Sequence, residues 1–225
     1  MRAPGPRKRE AYHMQRFSLI TEADAQRLSP GATVELEPGG HVTPLALDTL
    51  RALGVTVVAA GTADAEAAAS TLVPPADIRI VALGTDHSGL PLKRSLAAWL
   101  RGRALRVVDC GTDTADPVDY PDIASRVAQC VASGEAHAGI VIDGAGLGSA
   151  IAANKVRGIR AAMATTPTLA RYARQHNGAN VLTLGASLVS EADARLIVDT
   201  FLQTPMTEAR YVKRLAKVKL LEDRF

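Results

Sequence analysis

The segment Gly139-Ile140-Val141-Ile142-Asp143-Gly144-Ala145-Gly146-Leu147-Gly148-Ser149-Ala150 constrains this chain more than any other. A short apolar run of strand type meets an acid, then three alternating glycines, then a helix-forming run from Ser149 through Asn154. Together these read as a strand, an anion-holding loop and a helix N-terminus. Glycines bring bare N–H groups close to a ligand, and the helix dipole behind them favours negative charge. A carboxylate aimed into such a loop would repel a phosphate. Asp143 therefore reads as a base beside a stabilised oxyanion, with phosphate bound elsewhere. The same pattern also serves as a purely structural tight turn in doubly wound folds.

From residue 78 onward the spacing predicts strands over 78–83, 106–108, 140–142, 161–164 and 181–184. Between and after them it predicts helices over 90–101, 121–133, 169–175, 191–202 and 208–221, with one more directly after the glycine loop. This alternation implies the α/β class: a Rossmann-like open parallel sheet with helices on both faces. Ligands bind such sheets at the carboxyl ends of the strands. The strand ends bring Asp86-His87, Asp109-Cys110-Gly111, Asp143 with its glycines, Thr165-Thr166 and Gly185-Ala186-Ser187 to one edge.

Ahead of this domain, residues 1–15 read as a disordered basic leader and 16–61 as a small α+β unit. That unit has a helix start at Thr21-Glu22-Ala23-Asp24, a strand at Val34-Glu35-Leu36, a turn at Pro38-Gly39-Gly40 and a helix from Thr43-Pro44 to Leu53. A last strand spans 55–58. Residues 62–77, rich in alanine and ending in Pro74-Pro75, read as a linker, and 78–225 as the main domain. With 47% hydrophobic and 22% charged residues the chain is ordinary globular material. Cys110 and Cys130 are too few for a disulfide framework and lack metal-ligand spacing, so reduced thiols in a cytoplasmic protein are expected, with no membrane segment. A net charge of +3 and 4% aromatics argue against a nucleic-acid partner.

Each candidate residue has two readings. Asp86-His87 forms either an Asx-type turn capping the next helix or a polar pair facing Asp143. Tyr120, before Pro121, either begins a helix or lends its hydroxyl to a site wall. His176-Asn177 either ends a helix or serves a site. Arg210 and Arg214, four apart, either clamp a phosphate or face water.

The chain over 81–215 resembles the B-type ribose-5-phosphate isomerase family, which includes the galactose-6-phosphate isomerase subunits. The matching pieces are Gly84-Thr85-Asp86-His87-Ser88-Gly89, Asp119-Tyr120-Pro121-Asp122, Gly144-Ala145-Gly146-Leu147-Gly148 with Ala152-Ala153-Asn154-Lys155, Arg174-Gln175-His176-Asn177-Gly178-Ala179-Asn180-Val181, and Arg210 with Arg214. The resemblance implies an aldose–ketose isomerase for a phosphorylated sugar, ribose 5-phosphate by default, needing neither metal nor other cofactor. It also implies a homodimer, or a dimer of dimers, with sites between subunits. Asp86 and His87 would bind the sugar or its phosphate, and Tyr120 would line the pocket. The amides of Gly144, Ala145, Gly146, Leu147 and Gly148 would stabilise the enediolate. His176 would help open the ring and Asn177 would hold a hydroxyl. Arg210 and Arg214, from the partner subunit, would grip the phosphate.

Departures from the family pattern bear on the base. Asp143 stands where many members carry a catalytic cysteine, and Ser149 where others carry a glutamate. Asp143 is then the base, as a partly desolvated carboxylate of raised pKa. Ala145 replaces a common hydroxyl residue and Ser187 a common phosphate-binding arginine. These losses define the alternative: a non-catalytic sugar-phosphate binder or scaffold. A nucleotide-binding module is disfavoured because the glycine loop follows the third strand of the domain instead of the first. Ile20-Thr21-Glu22-Ala23-Asp24 and Gly40-His41-Val42-Thr43-Pro44-Leu45-Ala46-Leu47-Asp48 look similar to N-terminal segments on enzymes of bacterial microcompartments. That likeness implies a recruitment or assembly module, with shell or enzyme partners.

Overall fold

The computed structural model describes residues 15–59 and 72–222, and the chain divides into two compact units, Met1–Ala67 and Ala68–Phe225. Apart from its last residue, Gln15, the expected leader, and with it the first part of the expected linker, lies outside the described residues. Residues 72–77 are described and belong to the second unit.

In the first unit, β1 (Arg16–Ile20), β2 (Thr33–Val42) and β3 (Thr56–Ala59) form a parallel sheet in the order β1-β2-β3. Helix α1 (Glu22–Ala25) starts with a capping box between Thr21 and Asp24, and α2 (Pro44–Ala52) starts at Thr43 with proline in its first turn. Ile20, Ala25, Leu28, Val34, Ala46 and Leu50 make the core. The turn expected at Pro38-Gly39-Gly40 lies instead inside β2. There the register moves from Phe17↔Leu36 to Leu19↔His41, two residues on β1 against five on β2, with Gly39 at φ 78°. The glycines let the strand bulge and rejoin its partner.

In the second unit the strands are β4 (Ile80–Thr85), β5 (Arg106–Asp109), β6 (Ala138–Asp143), β7 (Ala161–Met163) and β8 (Val181–Gly185). All are parallel, in the order β5-β4-β6-β8-β7. The helices are α3 (Leu90–Gly102), α4 (Tyr120–Ala132), α5 (Leu147–Ala153), α6 (Pro167–Asn177), α7 (Glu191–Gln203) and α8 (Ala209–Glu222). Strand β6 is buried along its whole length because both its faces are covered. Ile140 and Ile142 pack with Leu96, Leu182 and Phe201 on one side, and Val141 packs with Ile123, Val127 and Ala153 on the other. Each such side chain contributes about 1.5–3 kcal/mol by leaving water. From β4 the chain passes to β5 on one side and then to β6 on the other, so the topological switch falls between β4 and β6. In sheets of this kind the ligand crevice lies at the carboxyl ends of these strands.

A buried lysine fixes one wall of that crevice. Lys93 of α3, 2% exposed, reaches Asp109 Oδ1 at 2.5 Å, Asp113 Oδ1 at 2.9 Å and the Thr112 carbonyl at 3.0 Å. It ties down the loop that leads from β5 to Tyr120. The hydrogen bond and charge of Lys93 hold the Asp113 carboxyl below the usual carboxylate range. A depressed acid stabilises the fold above its unfolded pKa, about 4, and loses that contribution as pH falls through the folded value. Lys93→Met is therefore expected to lower stability by about 1–3 kcal/mol at pH 7, since Asp113 is open to water and rehydrates. The deficit should shrink below about pH 4, as urea unfolding at the two pH values will show.

Candidate active site

The carboxyl ends of β4 and β6 are joined. Thr85 Oγ1 donates to the Ile142 carbonyl at 3.1 Å, and the Asp86 N–H donates to the same oxygen at 3.2 Å. Asp86 then makes the Asx-type turn: its Oδ1 accepts from the Ser88 N–H at 2.9 Å and the Ser88 hydroxyl at 2.5 Å. His87 is exposed, and its Nδ1 accepts from the Val118 N–H at 3.4 Å. Ser88 faces the glycine loop, its Oγ lying 3.9 Å from where a methyl on Gly144 would sit. Tyr120 closes the other side, for a methyl on Gly148 would fall 2.6 Å from its ring.

The glycine loop is held from within. Asp143 is 4% exposed, and its two oxygens accept from the Ala145 N–H at 2.8 Å, the Gly146 N–H, the Ser149 N–H at 3.0 Å and the Ser149 hydroxyl. The sequence leads to the expectation of a partly desolvated carboxylate free to act as a base; the burial agrees, but both oxygens are engaged by the loop. The carboxylate folds back and is itself the anion its own loop holds, using the amides of Ala145 and Gly146 expected for the enediolate. From outside, the Ala186 N–H donates to the Asp143 carbonyl at 2.7 Å and the Ser187 N–H to the Gly144 carbonyl at 3.0 Å. Gly146 adopts φ 78° and accepts from Thr183 Oγ1 at 2.7 Å. Cys110, after β5, turns inward against Ile123 and Val127, 3.8 Å from Cys130 Sγ. Burial pushes its thiol up to about 12, so it remains neutral and is no nucleophile.

The remaining predicted residues lie elsewhere. Helix α6 runs back from the carboxyl edge, so His176 and Asn177 sit near the starts of the strands. The five residue steps of β6 alone separate the two edges by roughly 16 Å. There His176 stacks on Tyr172 with centroids 4.7 Å apart and tilts against Tyr211 at 4.4 Å. A cavity of about 870 Å³ opens beside them, lined by Asn154, Arg160, His176, Asn177, Tyr211 and Arg214 among others. Arg214 lies 5.8 Å from the Tyr211 ring. Arg210 is not among the lining residues; it pairs with Glu208 at 3.4 Å and donates to the Tyr211 hydroxyl at 3.0 Å.

Sequence reasoning missed Tyr211, which joins His176 to both arginines, although it stands next to Arg210. Arg160 was missed too. It donates to the carbonyls of Gly178, Gly158 and Leu72, and burial lowers its pKa. Arg174, from the same sequence motif as His176, is 2% exposed and donates to the carbonyls of Ala179, Thr204 and Pro75. Burial first, and Arg160 second, lower its pKa to about 10, which leaves it charged at neutral pH. It fixes the end of α6 that carries His176.

A parallel sheet with carboxylates and a glycine loop at its switch point, and a histidine–arginine cavity at the other edge, defines an α/β enzyme of small polar ligands. The family model described as Ribose/Galactose Isomerase matches residues 81–218, and the chain belongs to that family. It is 42% identical over 144 residues to ribose-5-phosphate isomerase B of Escherichia coli, covering 64% of this chain and 97% of that protein. The structure resembles ribose-5-phosphate isomerase B of Clostridium thermocellum, with TM-score 0.63 and 46% identity over 64% of this chain and 98% of that one. It also resembles the Mycoplasma genitalium enzyme solved with bound ribulose-5-phosphate, with TM-score 0.63 and 36% identity over 65% and 97% of the two chains. The chain is a sugar-phosphate aldose–ketose isomerase. Its first 80 residues lie outside the family match.

Proposed function

We propose that the chain interconverts ribose 5-phosphate and ribulose 5-phosphate by metal-independent proton transfer between C1 and C2 through an enediolate. The observation that carries this reading is the pairing of two carboxylates, Asp86 and Asp143, at the β4/β6 switch point beside the first-turn amides of Leu147 and Gly148. Those amides have no acceptor within the helix and can meet a developing oxyanion. His87 and Tyr120 wall the same crevice. His176, as ring opener, Asn177 and Arg214 form the other half of the site, and a homodimer or dimer of dimers brings the two halves together. Exposed apolar side chains on α5 and α6, Leu147, Ile151, Leu169 and Tyr172, support such pairing. Arg210, bonded here to Glu208 and the Tyr211 hydroxyl, joins Arg214 on the phosphate of the partner's site in this reading.

The first unit serves as a recruitment module in this reading, within the cytoplasm or a microcompartment. It is compact in itself, with its own core, and stands outside the family match. The non-catalytic alternative draws on one specific observation: Asp143 already fills part of the loop that an enediolate would need.

Proton NMR in deuterated buffer decides between them. With a panel led by ribose 5-phosphate, the expected result is loss of the C2 proton signal and growth of ketose, fastest for the pentose. A folded protein that exchanges no sugar phosphate on the panel is incompatible with the isomerase reading.

A further inference from the structure

We infer that Asp86 is the carboxylate that moves the carbon-bound proton in this chain, and that Asp143 is a positioning residue that sets the shape of the glycine loop. The inference rests on the isomerase reading above and names the base within it. An ionised carboxylate offers about four acceptor positions. Asp143 spends its two oxygens on four donors, all from its own loop and from Ser149, which is fully buried. No acceptor position is left to point at a sugar carbon.

Asp86 stands level with it. The register Thr85↔Ile142 carries on into Asp86 beside Asp143, on neighbouring strands about 4.8 Å apart. Both carboxylates thus reach the same end of the crevice. Only Oδ1 of Asp86 is occupied, by the two Ser88 donors. Oδ2 accepts nothing among the described residues, and it is not among their fully enclosed polar atoms. Ser88 does for Asp86 what an orienting partner does for a general base: it fixes one oxygen so that the other is aimed. The same hydroxyl lies beside Gly144, which couples the base to the loop that meets the oxyanion.

In the forward direction Asp86 Oδ2 takes the C2 proton of the open-chain aldose. The C–H electron pair becomes the C1–C2 double bond, and the carbonyl pair moves onto O1 to give the enediolate. The O2 proton passes to O1, C2=O forms, and the Asp86 carboxyl returns its proton to C1. Atoms and electrons balance without an oxidant or reductant.

The test compares wild type with Asp86→Asn, Asp86→Glu and Asp143→Asn, reading C2 exchange, kcat and KM with ribose 5-phosphate and the unfolding midpoint. Asp86→Asn should lose on the order of a thousandfold in kcat and exchange with KM within about threefold, the range general bases contribute. Asp86→Glu should recover part of it. Asp143→Asn should lower the midpoint and raise KM, because its amide nitrogen would face the Ser149 N–H, while exchange falls by no more than about tenfold. Exchange that survives Asp86→Asn overturns the assignment alone, as does exchange lost in folded Asp143→Asn at unchanged KM. A wild type that exchanges no sugar phosphate overturns the isomerase reading and this assignment together.

Discussion

Replacing Gly185 by alanine is expected to cut kcat/KM at least about a hundredfold while the protein still unfolds in one cooperative step, because misplacing reacting groups by a fraction of an ångström to 1 Å costs that much. A methyl group on Gly185 would lie 2.7 Å from the Ala145 carbonyl carbon, 2.8 Å from its oxygen and 2.9 Å from its Cα. All three are main-chain atoms, so no rotamer change relieves the contact. Ala145 in turn is tied to Asp143 through its N–H, and the next two residues after Gly185 hold the Asp143 and Gly144 carbonyls. The displacement therefore enters the anion loop and is not dispersed over the sheet.

Two substitutions calibrate this expectation. On Gly148 the three atoms nearest a methyl would all belong to the ring and hydroxyl of Tyr120, which is 41% exposed and can swing outward. Gly148→Ala should raise KM more than it lowers kcat. On Gly102 a methyl meets nothing within 4 Å, and Gly102→Ala should leave kinetics as they are. Steady-state kinetics and thermal melts of the three variants check the order. A Gly185→Ala enzyme with near-normal kcat/KM would show that the loop is not held from β8.

The sheet was legible because its signals are local and redundant. The run from Ile140 to Ile142, the proline at Pro121 and the glycine at Gly178 place a strand, a helix start and a helix end within a residue or two of where they occur. Pro38-Gly39-Gly40 misled for the same reason. Locally it is a turn, and only pairing with β1 on both sides turns it into a bulge. The fate of Asp143 was hidden at a finer level. Its identity and spacing suit either a base or an Asx-type anchor, and the choice depends on whether Ser149 comes round to donate from the first turn of α5. That is a matter of loop shape. The split of the site was half legible: α6 must run back along the sheet, which already removes His176 from the Asp143 edge. In the proposed dimer, what closes the gap belongs to a second chain.

The proposed sharing of sites between chains can be tested directly. Two differently tagged copies, one carrying Asp86→Ala and one His176→Ala, should each be inactive as purified homo-oligomers. Asp86→Ala breaks the carboxyl-edge half of the site, whether the residue moves a proton or binds sugar. His176→Ala breaks the other half, where the imidazole is packed between Tyr172 and Tyr211. If each site takes one half from each of two subunits, a mixed dimer contains one doubly damaged site and one intact site. Co-expression at equal levels gives mixed dimers as about half the population, so the mixture should regain about a quarter of wild-type specific activity, and tandem affinity purification about half. If each chain carried a complete site alone, both figures would stay at zero. The roughly 16 Å between the two edges makes that second outcome demand a rearrangement of the sheet itself, since no side chain spans the distance.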